Sequence, residues 1–163
     1  MAVQRLTLLL LALCTGLHLG AAAAQDRRVQ KQAVDWVVSL ILPEAKPVDP
    51  TRLEAALRKR VTEQDRFTGT EGEKGILLLR IAGGTAMVTL MEAPIPGQEL
   101  QNVCRFAWYW REACETVNDH KAHLLVVLMG TKLSKLNSAV LQTRIVAALI
   151  EESDAVAVYW GAA

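Results

Sequence analysis

The 163-residue chain has little of what usually announces chemistry: three cysteines, three histidines and 5% aromatic residues, so a site built on soft ligands or rings has few residues to draw on. Neither sign of charge prevails, with 18 Lys and Arg against 17 Asp and Glu and a formal net charge of +1. A chain this close to neutral has no global field to gather nucleic acid or anionic lipid. The short basic runs Arg27-Arg28-Lys31 and Arg58-Lys59-Arg60 read as solvated surface. Ser39, Ser134, Ser138 and Ser153 lack a Gly-x-Ser-x-Gly setting, which argues against a serine hydrolase. Gly83-Gly84 is not followed by a helix signal, so a phosphate-cradling loop is not indicated there. There is no repeat of fixed period, and the length fits one domain with little room for a second core.

The N-terminus reads as a secretory leader. Arg5 supplies the positive start, Leu6 to Leu13 the apolar run, and Ala22-Ala23-Ala24 a small-residue cleavage site before Gln25. The expected organisation is a leader over 1–24, a polar lead-in over 25–33 and one domain over 34–163, with the product secreted or periplasmic. A retained membrane anchor is the alternative, because residues 6–24 carry no formal charge; His18 and Gly20 weaken it, since a span wants about 20 apolar residues. Membrane contact is expected only in that case. Lipid attachment at Cys14 is disfavoured by the bulky Leu13 before it.

Hydrophobic patterning then gives the elements. Val34–Leu42 is short, apolar and β-branched, as a buried strand should be. Asp49 can cap a helix with Pro50 at its first position, and Leu53, Ala56, Leu57 and Val61 recur at helical spacing over 50–64. Residues 66–74, rich in Gly, Thr and Glu, read as a loop. Strands over 76–81 and 86–91 flank Gly83-Gly84, a hairpin signal. A helix from Gln98 is interrupted by Trp108-Tyr109-Trp110 and resumes over 111–118. A strand over 122–129 follows, then a helix over 133–153 carrying Leu136, Val140, Thr143, Ala147 and Ile150 on one stripe, and a last strand over 155–160. The order predicts an α+β fold with a ferredoxin-like βαββαβ core extended by a further helix and strand, its sheet mainly antiparallel and its helices packed on one face.

The runs APIP at 93–96, AWYWREA at 107–113, HKAHLLV at 120–126 and AVAVYW at 155–160, taken in order, resemble the N-terminal half of bacterial proteins that carry the domain of unknown function numbered 4261. The likeness spans about residues 34–160. It implies the same order of elements and a cytoplasmic location, the competitor to export; it implies no activity, cofactor or catalytic residue, since that family has none established. The family's C-terminal segment, with its Gly-Asp-Thr type motif, has no counterpart in this sequence, which runs out at Gly161-Ala162-Ala163 after the last strand. The edge of that strand is therefore expected to be exposed and to be covered by a partner or by self-association.

Nearly all distinctive side chains fall in residues 93–130: Cys104, Phe106, Trp108, Tyr109, Trp110, Cys114, His120 and His123. Imidazole and thiolate suit zinc, but neither cysteine belongs to a Cys-x-x-Cys pair, and His120 ends a helix where His123 begins a strand. Cys104 or Cys114 with His120 is also the one plausible nucleophile and base, with Glu112 and Glu115 as acid/base neighbours. On a continuous helix the cysteines would lie roughly 15 Å apart, beyond a disulfide's reach. A bridge requires the helix to break between them, and the spacing favours two buried thiols acting as small hydrophobes. His120 is then expected near a helix C-terminus and His123 hydrogen-bonded inside the sheet. Trp108, Tyr109 and Trp110 cannot all face one way on any regular element, so at least one ring should reach the surface as a hot spot for a protein or peptide partner. The function expected is a non-catalytic binding module without cofactor or metal. A small enzyme or metal-binding domain built on Cys104, Cys114, His120 and His123 is the alternative.

Overall fold

The computed structural model describes residues 34–73, 75–96 and 98–161; the leader and the lead-in fall outside them. Strand β1, Val34–Leu42, has neighbouring residues Leu40 and Ile41 both fully buried on opposite sides of the sheet, which is why its sequence runs apolar without alternation. Helix α1, Pro50–Arg58, starts as the sequence says: the Asp49 side chain accepts the amide of Arg52 at 2.9 Å and Pro50 opens the first turn. It stops six residues short of the expected end. Thr62 and Asp65 form a separate capping box, with the Thr62 amide on the Asp65 carboxylate at 2.7 Å, and a 3-10 turn over Glu63–Asp65 takes the place of the last helical turn. Arg144 joins that carboxylate at 2.6 Å and ties the turn to the long helix.

The segment expected as a loop contains strand β2, Gly69–Glu73, paired antiparallel along strand β3, Ile76–Ile81. It is an edge strand with most of its side chains exposed, so it needs no apolar alternation and leaves none to read. β3 turns through Ala82-Gly83, both at positive φ, into strand β4, Gly84–Met91, the hairpin foreseen at the two glycines. Helix α2, Glu99–Cys104, and helix α3, Ala113–Asn118, follow; then come strand β5, Ala122–Met129, helix α4, Lys135–Glu152, and strand β6, Ala157–Trp160. The six strands make one antiparallel sheet in the order β2-β3-β4-β5-β1-β6.

The α+β class and the antiparallel sheet stand, but two finer expectations change. A split βαβ core would set β1 beside β4; here β5 occupies that place, pairing β4 on one side and β1 on the other. The helices also cover both faces. α1 and α4 pack over Leu40, Leu79, Val88, Leu124 and Val126, while α2 and α3 pack on the opposite face over Ile41, Ala157 and Tyr159. Ile41 requires this second layer, because strand alternation aims it away from the main core. α4 differs too. Its Leu136, Val140 and Ile150 stripe turns outward, Leu136 being 73% exposed, and Leu141, Ile145 and Leu149 enter the core beside Gln142, whose amide donates to the Val126 carbonyl at 3.3 Å. The helix is apolar on two sides, so periodicity alone does not choose between them.

Candidate binding site: an aromatic loop closed by a disulfide

The second layer is the part of the molecule where the distinctive residues meet. α2 ends at Cys104, and the chain then makes a run of tight turns in place of a helical ladder. Phe106 donates to the Val103 carbonyl at 3.0 Å, Trp108 to Phe106 at 2.9 Å, Trp110 to Ala107 at 2.8 Å and Ala113 to Trp110 at 3.2 Å. These turns double the chain back and bring Cys104 and Cys114 into a disulfide with their Cα atoms 5.0 Å apart. The expectation of two free buried thiols is thereby corrected. The helix break that a bridge requires is present, supplied by the bulky Phe106 to Trp110 segment, whose rings do not share one helical face.

Of the loop's rings Trp110 alone is part of the small core, packing with Ile95, Ala107 and the Cys114 side of it. Phe106, Trp108 and Tyr109 are 80%, 86% and 77% exposed, with Trp108 and Tyr109 in edge-to-face contact at 5.9 Å between centroids. Two of the three rings singled out in the sequence are therefore on the surface. Phe106 makes a third; its position two residues before Trp108 is the signal that sequence reasoning passed over. Arg105 and Arg111 flank the rings and are exposed, as are Glu112 and Glu115.

The histidines lie beneath this loop and do structural work. His120 Nε2 accepts the amide of Ile95 at 2.8 Å, and its Nδ1 contacts the Val117 carbonyl, an otherwise open group of the last turn of α3. His123, inside β5, bonds through Nδ1 to the Ala93 carbonyl at 2.9 Å. Burial holds the His123 imidazole below its ordinary pKa; the bond to Ala93 acts the other way, and neighbouring His120 reinforces the lowering. The two rings thus hold the segment around Pro94, where the chain leaves β4 for α2, from both sides. The cysteines are joined to each other and the histidines to backbone, so the Cys–His constellation is not assembled as a site. No cluster of three or more His, Cys, Asp or Glu that could hold a metal ion occurs among the described residues. Two of the serines have structural partners: Ser134 caps α4 by accepting from Asn137, and Ser138 bonds Thr131 at 3.0 Å.

Between the loop and the sheet lies a small apolar cavity of about 100 Å³, walled by Ile41, Leu100, Cys104, Trp110, Val117 and Tyr159, with Tyr109 at its edge. It is far below the roughly 300–1,000 Å³ of small-molecule pockets. Family models, curated protein sequences and solved structures contain no match to this chain.

Proposed function

We propose that the chain is an exported, non-catalytic binding module whose contact surface is the loop closed by Cys104 and Cys114. The observation that carries this is the exposure of Phe106, Trp108 and Tyr109 on one cross-linked turn. Rings left in water forgo the 1.5–3 kcal/mol or so that burying each large apolar side chain provides, and such clusters mark interaction sites. The disulfide limits the conformations the loop must give up on binding, so the rings meet a protein partner with less ordering cost. The same bond supports export, because disulfides persist in oxidising compartments, and the leader-like sequence over 1–24 agrees with it. Kinship with the N-terminal half of the domain-4261 proteins is proposed on the order of the four sequence runs, and it lends no activity.

Substitution tests the surface directly. Phe106→Ala, Trp108→Ala and Tyr109→Ala are each expected to leave stability within about 0.5 kcal/mol, as exposed substitutions do. Combined, they should abolish recovery of a partner by cross-linking of the natural protein in its own cells. Full recovery by the triple variant would overturn the assignment of the rings.

A further inference from the structure

The two edges of the sheet are treated differently. β2 carries exposed Glu71 and Glu73 and two glycines, the charged and weakly pairing composition that keeps an edge from recruiting another strand. β6 is Ala-Val-Tyr-Trp, without charge or proline; Trp160 at its end is 42% exposed, and Val156 just before the strand is 41% exposed. Among the described residues its one partner in the sheet is β1, on one side, and none pairs along its other side.

Three of the four residues of β6, Ala157, Val158 and Tyr159, line the cavity. Alternate residues of a strand share a face, so Ala157 and Tyr159 point to the α2–α3 layer while Val158 packs into the main core. A strand added beside β6 would sit about 4.8 Å further out, with its alternate side chains in register with Ala157 and Tyr159.

We infer that the free edge of β6 and the adjoining cavity form a strand-addition site: an extended segment of a partner chain pairs with Ala157–Trp160 and sets one uncharged aliphatic side chain into the cavity. This rests on the binding-module reading and gives it a partner chemistry. Main-chain hydrogen bonds supply affinity and the cavity supplies selectivity, the usual division in strand addition. The volume suits one side chain, and the lining holds no charged residue. A second copy of this chain fits less well. Its β6 would offer Ala157, too short to fill the space, or Tyr159, already packed in its own small core.

The test uses the intact disulfide-bonded protein, labelled with nitrogen-15, and capped seven-residue peptides alternating threonine with Leu, Ile, Met, Ala or Asp. Leucine, isoleucine or methionine peptides should shift the amides of residues 157–160 saturably, with the alanine and aspartate peptides at least about tenfold weaker. N-methylation of alternate peptide nitrogens should weaken binding about tenfold or more, because it removes the ladder donors. Ala157→Leu, which fills the cavity from the protein's side, should do the same with its thermal transition retained; the peptide substitutions decide the matter if that variant does not fold. Undiminished binding of the N-methylated peptide, or silence of residues 157–160 with every peptide, overturns strand addition. Shifts confined to residues 105–112 overturn it while leaving the ring surface standing. Concentration-dependent dimerisation that moves the β6 amides without peptide overturns it in favour of a second copy.

Discussion

Two imidazoles hold the chain around Pro94, and one of them makes stability depend on pH. Burial lowers the pKa of His123 below the ordinary 6.5, so the unfolded chain takes up its proton first as pH falls. The contribution is fully present above about pH 6.5 and is lost as pH falls through the lower folded value. Thermal transitions measured between pH 7 and pH 5 should therefore fall with acidification. His123→Gln should cost about 0.5–1.5 kcal/mol at pH 7 through the bond to Ala93 and should flatten that slope; an unchanged slope would contradict the assignment. Glu54 and Glu151 are also lowered, chiefly by hydrogen bonds from Arg58 and Arg60, but their effect belongs to pH below about 4.5. That His120 follows a helix and His123 sits in a strand was legible in the sequence. Their common target was not, because Ala93 and Ile95 lie 30 and 25 positions away and no local pattern links them.

The β3–β4 hairpin shows what a single glycine contributes to an element. Gly83 sits at φ +73° with open space around its Cα, so Gly83→Ala should cost about 1–2 kcal/mol of left-handed backbone strain, and Gly83→Asn less. Gly84 lies outside the left-handed region, but a Cβ there would stand 2.4 Å from the Met129 carbonyl oxygen and 2.8 Å from the backbone of Gly130 and Thr131. Backbone cannot swing aside as a side chain can, so Gly84→Ala should cost about 1–3 kcal/mol by overpacking. Urea melts of the three variants check this, and an Asn at position 83 that is worse than Ala would refute the strain argument. This hairpin, β1, β5 and the start of α1 are legible in the sequence because each carries its own signal: turn glycines, β-branched runs or a cap. β2 is not, because Gly-Thr-Glu-Gly-Glu pairs through its backbone. The buried side of α4 is ambiguous in the sequence, because Leu136, Val140 and Ile150 make as good a stripe as Leu141, Ile145 and Leu149. Only the position of β1 and β5 beneath the helix separates the two.

At the scale of the molecule, one sheet carries two unequal cores. The larger is built on β1, β3, β4, β5, α1 and α4; the smaller buries Ile41, Leu100, Cys104, Ala113 and Val117 beneath two six-residue helices. Sheet order and the two-sided layering depend on contacts distant in sequence, so an element string leaves them open, and the disulfide was missed for the same reason. Helices this short are not stable alone, and the few residues beneath them bury little area, which makes the α2–α3 layer the part that should open first. The disulfide acts on that opening: closing a loop of about ten residues restrains the open state by about 2–3 kcal/mol in the chain-entropy account. Native-state hydrogen exchange should show amides of residues 99–118 opening well below the global free energy, while β1 and β5 exchange near it. Reduction, or Cys104→Ala with Cys114→Ala, should lower protection of residues 99–118 by about that 2–3 kcal/mol and leave β5 nearly unchanged. Reductant should have no further effect on the double variant. Equal loss in β5 would mean that the two cores unfold as one unit, and that the aromatic loop is as rigid as the sheet that carries it.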